Sequence, residues 1–183
     1  MILGLDISSN KTGIACLSDD GQLVFFDSVD TRTNTKAKKE KFEDLFDKIN
    51  EVVEYFVKFK REKPHFDISE IHIEDVLTKF TPGKSSIQTL STLFKANFAI
   101  SYELYKIFGI KPEYWNTRVA ATKNGIKIPK GGDKKRIVFD FIKDNYATFA
   151  ASAPEKLVND SIWFDISDAV LIARCAWLHR LKK

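Results

Sequence analysis

The stretch MILGLDISSNKTGIACLSDDGQLVFFDSV, residues 1–29, decides the fold. MILGLDI (1–7) is an apolar run with the length of a buried strand, and SSNKTG behind it reads as a tight polar turn. GIACLS (13–18) is a second strand. DDG (19–21) is a hairpin signal, and QLVFFDSV (22–29) is a third strand. The chain therefore opens on a three-stranded antiparallel meander.

Beyond it the apolar period changes. Phe42, Leu45, Ile49, Val52, Phe56 and Phe59 recur at spacings of three and four, which predicts a long amphipathic helix over 35–63, stopped by Pro64. EIHIEDVL (70–77) returns to strand, and 78–86 reads as a loop. A second long helix over 87–108 carries the apolar row Ile87, Leu90, Leu93, Phe94, Phe98, Tyr102 and Tyr105, part of which can serve a dimer contact. A short strand (110–115) and a short helix (TRVAATK) follow. A helix over 137–146, an irregular Ala/Ser/Pro-rich stretch (147–164) and a last helix over 166–181 complete the chain. Three antiparallel strands and then alternating helix and strand predict an α/β fold. Its sheet is mixed and five-stranded, three antiparallel strands then two parallel, flanked by helices. The length of 183 residues suits a single domain.

Composition narrows the function. With 44% hydrophobic and 30% charged residues the chain is no disordered tail. Cys16 and Cys175 form no CxxC pair, which excludes a cysteine-built zinc site. No apolar run spans a bilayer and no basic leader precedes one, so the expected setting is intracellular and cytoplasmic, with no membrane partner. The net charge of +4 permits a polyanionic partner without requiring one.

Four acids stand where acids are costly. Asp6 interrupts an apolar strand on the side of Ile2 and Gly4. Glu74 ends the IHIE strand, facing opposite to Ile71 and Ile73. Asp165 and Asp168 open an otherwise apolar helix at a spacing that puts both on one face. Each has a plainer reading: Asp6 as a turn cap, Glu74 as a surface acid, the helix pair as an N-cap. Together they suggest four carboxylates gathered at one point. Their repulsion there calls for cations, and all-oxygen ligands select hard divalent ions, chiefly Mg²⁺ or Mn²⁺. Two such ions about 4 Å apart suit in-line displacement at a phosphodiester.

The cations of the chain are clustered as well. Between Arg118 and Arg136 lie seven Lys/Arg against one acid, Asp133. Lys79, Lys84 and Lys95 fall in an acid-free stretch from Val76 to Tyr102. Such clusters suit phosphate contacts. His72 shares its strand side with Glu74 and reads more readily as a satisfied core histidine than as a group supporting the site. Trp115, Trp163 and Trp177 read as packing residues.

MILGLDISSNKTGIAC, IHIED and DISDAVLIARCA resemble the signature segments of RuvC-type Holliday-junction resolvases, of the ribonuclease H-like superfamily. The resemblance in element order covers nearly the whole chain and implies a ribonuclease H-like fold in one domain, 1–183. It implies Asp6, Glu74, Asp165 and Asp168 as the catalytic, metal-binding tetrad, with two Mg²⁺ per site and Mn²⁺ able to substitute. Lys134 matches a catalytic lysine of the family. The implied DNA-binding set is Lys79, Phe80, Lys84, Arg118, Lys123, Lys127, Lys130, Lys134, Lys135 and Arg136. Many bacterial members have Asp-Pro-Gly after the first strand, whereas Asp6-Ile7-Ser8-Ser9 looks like phage or viral relatives. The family's aromatic wedge position is Leu77 here, with Phe80 beyond it. A basic position on the short helix is Ala120, for which Lys123 can substitute.

The implied activity is a homodimer that nicks two strands of a four-way DNA junction, leaving 5′-phosphate and 3′-hydroxyl ends. Alternatives remain open at this point: a related nuclease on other branched DNA or structured RNA, or an inactive DNA-binding protein of the same fold. The strand–Asp–turn–Thr-Gly opening is also similar to the phosphate loop of actin-like sugar kinases. The second glycine-rich loop such kinases need is missing from the sequence, so no nucleotide cofactor is expected.

Overall fold

A computed structural model describes residues 1–8, 11–31, 41–76, 87–155, 157 and 162–182. The elements are β1 (Ile2–Ile7), β2 (Lys11–Leu17), β3 (Leu23–Asp30), α1 (Lys41–Glu62), β4 (Glu70–Glu74), α2 (Ile87–Phe108), β5 (Glu113–Trp115), α3 (Thr117–Lys123), α4 (Lys134–Asn145), α5 (Ala147–Ser152) and α6 (Ile162–Arg180). The sheet order is β3-β2-β1-β4-β5. β1 to β3 pair antiparallel, while β4 runs parallel to β1 and β5 parallel to β4. This is the mixed five-stranded sheet expected from the sequence.

The sheet separates two apolar cores. Leu3, Leu5, Ile7, Ile14 and Cys16 point toward α1 and α2, where Val52, Phe56, Phe59, Ile100 and Leu104 meet them. Ile2, Ala15 and Leu17 point the other way, toward α4, α5 and α6. Strand alternation assigns Gly4 and Asp6 to that second face. α6 lies directly on it. A Cβ on Gly4 would stand 2.7 Å from the Ala173 Cβ, and one on Gly13 would collide with the main-chain carbonyl of Asp165. Only glycine permits that approach.

Several boundaries differ from the sequence reading, each for a local reason. β2 begins at Lys11, because the Ser8 hydroxyl closes the turn, donating to the Lys11 carbonyl (2.7 Å) and accepting from the Lys11 amide (3.1 Å). β4 ends at Glu74 rather than 77, and β5 is three residues rather than six. α4 begins at Lys134, three residues earlier than expected, because Asp133 is its N-cap and accepts from the Arg136 amide at 3.2 Å. The basic run therefore ends in a helical first turn. Residues 147–152, expected to be irregular, form α5: its alanines favour helix, and fully buried Phe149 anchors it against Phe26, Phe139 and Trp163. α6 begins four residues early, at Ile162. Almost every residue from Phe164 to Ala176 is buried, so no polar face marks its start. Among the described residues no helix is long and apolar enough to cross a membrane.

Candidate active site

Asp6 lies near the C-terminal end of β1, and Glu74 ends the neighbouring parallel strand β4. Asp165 falls in the first turn of α6 and Asp168 one turn on, so neither is an N-cap; the capping reading of this pair is overturned by the earlier helix start. Gly13, paired with Asp6 in the sheet, lets the Asp165 backbone settle on β2. Fold geometry thus brings all four acids to one open cleft of about 280 Å³, lined also by Lys134, Lys135, Thr89 and Leu93.

Asp6, Asp165 and Asp168 are buried and Glu74 half-buried. Burial first, and Glu74 next, push the Asp6 carboxyl well above the usual carboxylate range, with Asp168 and Asp165 adding to the push. Burial and then Glu74 push Asp168 up to about 7, while Lys134 and Lys135 pull it down. Asp168 Oδ1 is buried and has no hydrogen-bond donor among the described residues. Glu74 is held from three sides. The Thr117 hydroxyl donates to its Oε1, Asn97 Nδ2 donates to its main-chain oxygen at 3.2 Å, and the next amide, of Asp75, donates to the Trp115 carbonyl at 2.9 Å. Thr117 and Asn97 are not legible in the sequence as site residues. Nothing in their spacing marks them; the contacts exist only once α2 and α3 pack on the sheet.

The cations divide into groups. Lys134 is half-buried and lines both the carboxylate cleft and a second, wider groove of about 610 Å³. Arg118, Thr122, Pro129 and Gly131 line that groove, with Lys127 and Lys130 exposed on the same loop. Lys135 lies over Phe164, 5.8 Å from the ring centroid. Arg136 pairs with Asp140 at 3.1 Å. Lys123 lies elsewhere: its ammonium is 4.4 Å from the Trp115 ring centroid and 3.4 Å from His179 Nδ1. His179 is three turns beyond Asp168 on α6, about 16 Å along the axis. Leu77, Lys79, Phe80 and Lys84 lie outside the described residues.

His72 is a satisfied buried histidine, as expected. Trp115 Nε1 donates to its Nδ1 at 3.0 Å, and its Nε2 faces Glu70 Oε2 at 3.0 Å. The tryptophans pack: Trp163 against Phe26 and Phe149, and Trp177 under Gly21.

The donor set suits a hard divalent cation: four carboxylates, burial that disfavours the charge of Asp6 and Asp168, and one oxygen lacking a donor among the described residues. Among the described residues, however, no three such side chains stand in a closed metal-ligating arrangement. Uncompensated like charges repel, and a cation bound between such carboxylates would relieve that repulsion.

No protein-family model matches this sequence, and no curated protein resembles it in sequence. Solved structures do resemble it in fold. Thermus thermophilus RuvC in complex with a Holliday junction substrate matches with a TM-score of 0.64 and 10% identity, covering 98% of this chain and 94% of that one. A further Thermus thermophilus RuvC structure matches at 0.60 and 12%, over 99% and 96% of the two chains. The yeast mitochondrial Holliday junction resolvase matches at 0.50 and 15%, over 99% and 80%. The chain has a RuvC-type, ribonuclease H-like fold.

Proposed function

We propose that the chain is a single-domain, divalent-metal-dependent DNA endonuclease that resolves four-way junctions as a homodimer. One observation carries this reading: Asp6, Glu74, Asp165 and Asp168 line one cleft together with Lys134 and Lys135. A carboxylate set of this kind is unfavourable in an apolar wall unless its charge is used.

Asp6, Glu74, Asp165 and Asp168 would hold two Mg²⁺, for which Mn²⁺ substitutes. Bound there, the ions supply water activation and neutralise charge at the phosphoryl centre. The protein's own groups do the rest. Asp6 and Glu74, on adjacent parallel strands, fix one side of the set, and α6 fixes the other. Lys134 stands between the cleft and the groove along α3, so a phosphodiester chain lying in that groove passes its ammonium before reaching the carboxylates. Arg118, Lys127 and Lys130 hold the backbone on either side. The products would be a 5′-phosphate and a 3′-hydroxyl.

Resolution of a junction needs paired nicks, which a two-fold dimer provides with two equivalent sites. α2 supports this reading. Phe94, Phe98, Tyr102 and Tyr105 are exposed along one stripe of the helix, with Phe98 73% accessible. Few helices of soluble proteins leave such a row open without a partner surface. The deciding experiment is a Mg²⁺-dependent nicking panel on synthetic four-way junction, flap, duplex and structured RNA, with Asp6→Asn and Glu74→Gln as controls. Mg²⁺-dependent symmetric nicking of the junction, lost in both variants, is the expected result. Activity on RNA alone, or activity retained by Asp6→Asn, would overturn it.

A further inference from the structure

We propose that Thr117 is a positioning residue that sets the Glu74 carboxylate for cation binding, an inference that rests on the nuclease reading above. Thr117 is the first residue of α3 and is buried, and its hydroxyl donates to Glu74 Oε1. A glutamate has three rotatable side-chain bonds and gains nothing from proximity alone. The backbone of Glu74 is fixed by Asn97 and by the Asp75–Trp115 bond, but neither contact orients the carboxylate. Thr117 does. The hydroxyl takes one lone pair of Oε1 and fixes the plane of the carboxylate, so its remaining lone pairs are held in a set direction.

The chemistry of the donor matters. A lysine at this place would neutralise Glu74 and compete with the cation. A hydroxyl orients the carboxylate and leaves its charge intact. Thr117 is itself well anchored. Asn116 caps α3, accepting from the Arg118 amide at 2.9 Å, and Ala120 and Ala121 are buried beneath it. At the other end, Asn124 Nδ2 donates to the Leu171 carbonyl at 3.3 Å, which docks α3 onto α6. The helix that aims Glu74 is therefore fastened to the helix that carries Asp165 and Asp168. The next residue, Arg118, lines the basic groove.

The test compares Thr117→Val, which keeps the shape and removes the donor, with Thr117→Ser, which keeps the donor. Mn²⁺ binding to the protein without DNA is read by electron paramagnetic resonance. Loss of an outer-shell partner should weaken it about tenfold or more in Thr117→Val, with Thr117→Ser within about twofold of wild type. The Mg²⁺ concentration giving half-maximal junction nicking should rise by the same factor, while junction binding in Ca²⁺ stays unchanged. Thr117→Ala is the second variant should valine prevent folding, as judged by circular dichroism; loss of the fold in both would make Thr117 a folding residue and overturn the assignment. Wild-type Mn²⁺ affinity in a folded Thr117→Val would overturn it alone. Absence of Mn²⁺ binding by the wild type would overturn the nuclease reading with it.

Discussion

Asp168→Asn should stabilise the metal-free protein, and by about 3 kcal/mol more at pH 8 than at pH 5. The folded-state carboxyl titrates near 7 against an ordinary value of 3.8, so between those values the folded chain holds a proton that the unfolded chain has released. The unfolded state binds fewer protons in that window, and stability falls as pH rises through it, levelling off above the folded value. From pH 5 to pH 8 the group passes through about two units of the window, a loss of about 3 kcal/mol. For a chain of this size that is a fall of about 6–12 °C in Tm. Asparagine fills the same space and stays neutral throughout, so the variant lacks this slope. Differential scanning calorimetry in EDTA, on both proteins at both pH values, reads the part of the slope that depends on the Asp168 charge, since titrations outside the acid cluster cancel in the difference. Mg²⁺ should then restore the wild type at pH 8 and do little for the variant. Parallel pH profiles for the two proteins would refute the argument, as would an asparagine variant less stable than wild type at pH 8.

Further outcomes follow from the geometry. Gly13→Ala should cost about 1–3 kcal/mol by overpacking and reduce nicking well beyond its effect on duplex binding, since the added methyl meets the Asp165 carbonyl; calorimetry beside single-turnover cleavage separates the two effects. Lys130→Ala should weaken binding to junction and duplex alike and flatten the salt dependence by about one ion, seen in fluorescence titrations across salt. Lys123→Ala should instead leave the salt slope intact and cost about 0.5–2 kcal/mol of stability, the worth of its contact with Trp115. Phe98→Glu should yield a folded monomer by light scattering that still binds a junction arm but no longer nicks symmetrically; a dimer that persists would move the interface off α2.

The meander, the long helices and the four acids are legible in the sequence because each rests on contrast. Alternating and three-to-four spacings stand out against polar neighbours, and a carboxylate stands out in MILGLDI or DISDAVLIARCA. Legibility fails where contrast does. α6 is buried all round, so its first turn merges with the preceding stretch and Asp165 passes for a cap. In the sequence Asp133 is a lone acid in a basic run, although its side chain caps α4 and carries Lys134 and Lys135 into a helical turn. Position in the chain groups Lys123 with its basic neighbours. In space it is turned toward Trp115 and His179, a contact between residues 56 apart. Thr117 is the sharpest case: an ordinary threonine at a helix start until β4, α2 and α3 are assembled around Glu74.

The division of the interior by the sheet has a consequence for how such a chain can change over time. The carboxylates belong to the α6 side, where glycine and alanine contacts leave almost no room for alternative residues. The α1–α2 side is built from larger, interchangeable side chains such as Val52, Phe56, Ile100 and Leu104, none of which lines the cleft. Substitutions can accumulate there, one volume-compensating exchange after another, while the acids hold their places. A chain of this kind can drift far in sequence through one half of its interior while the other half holds the acids in register.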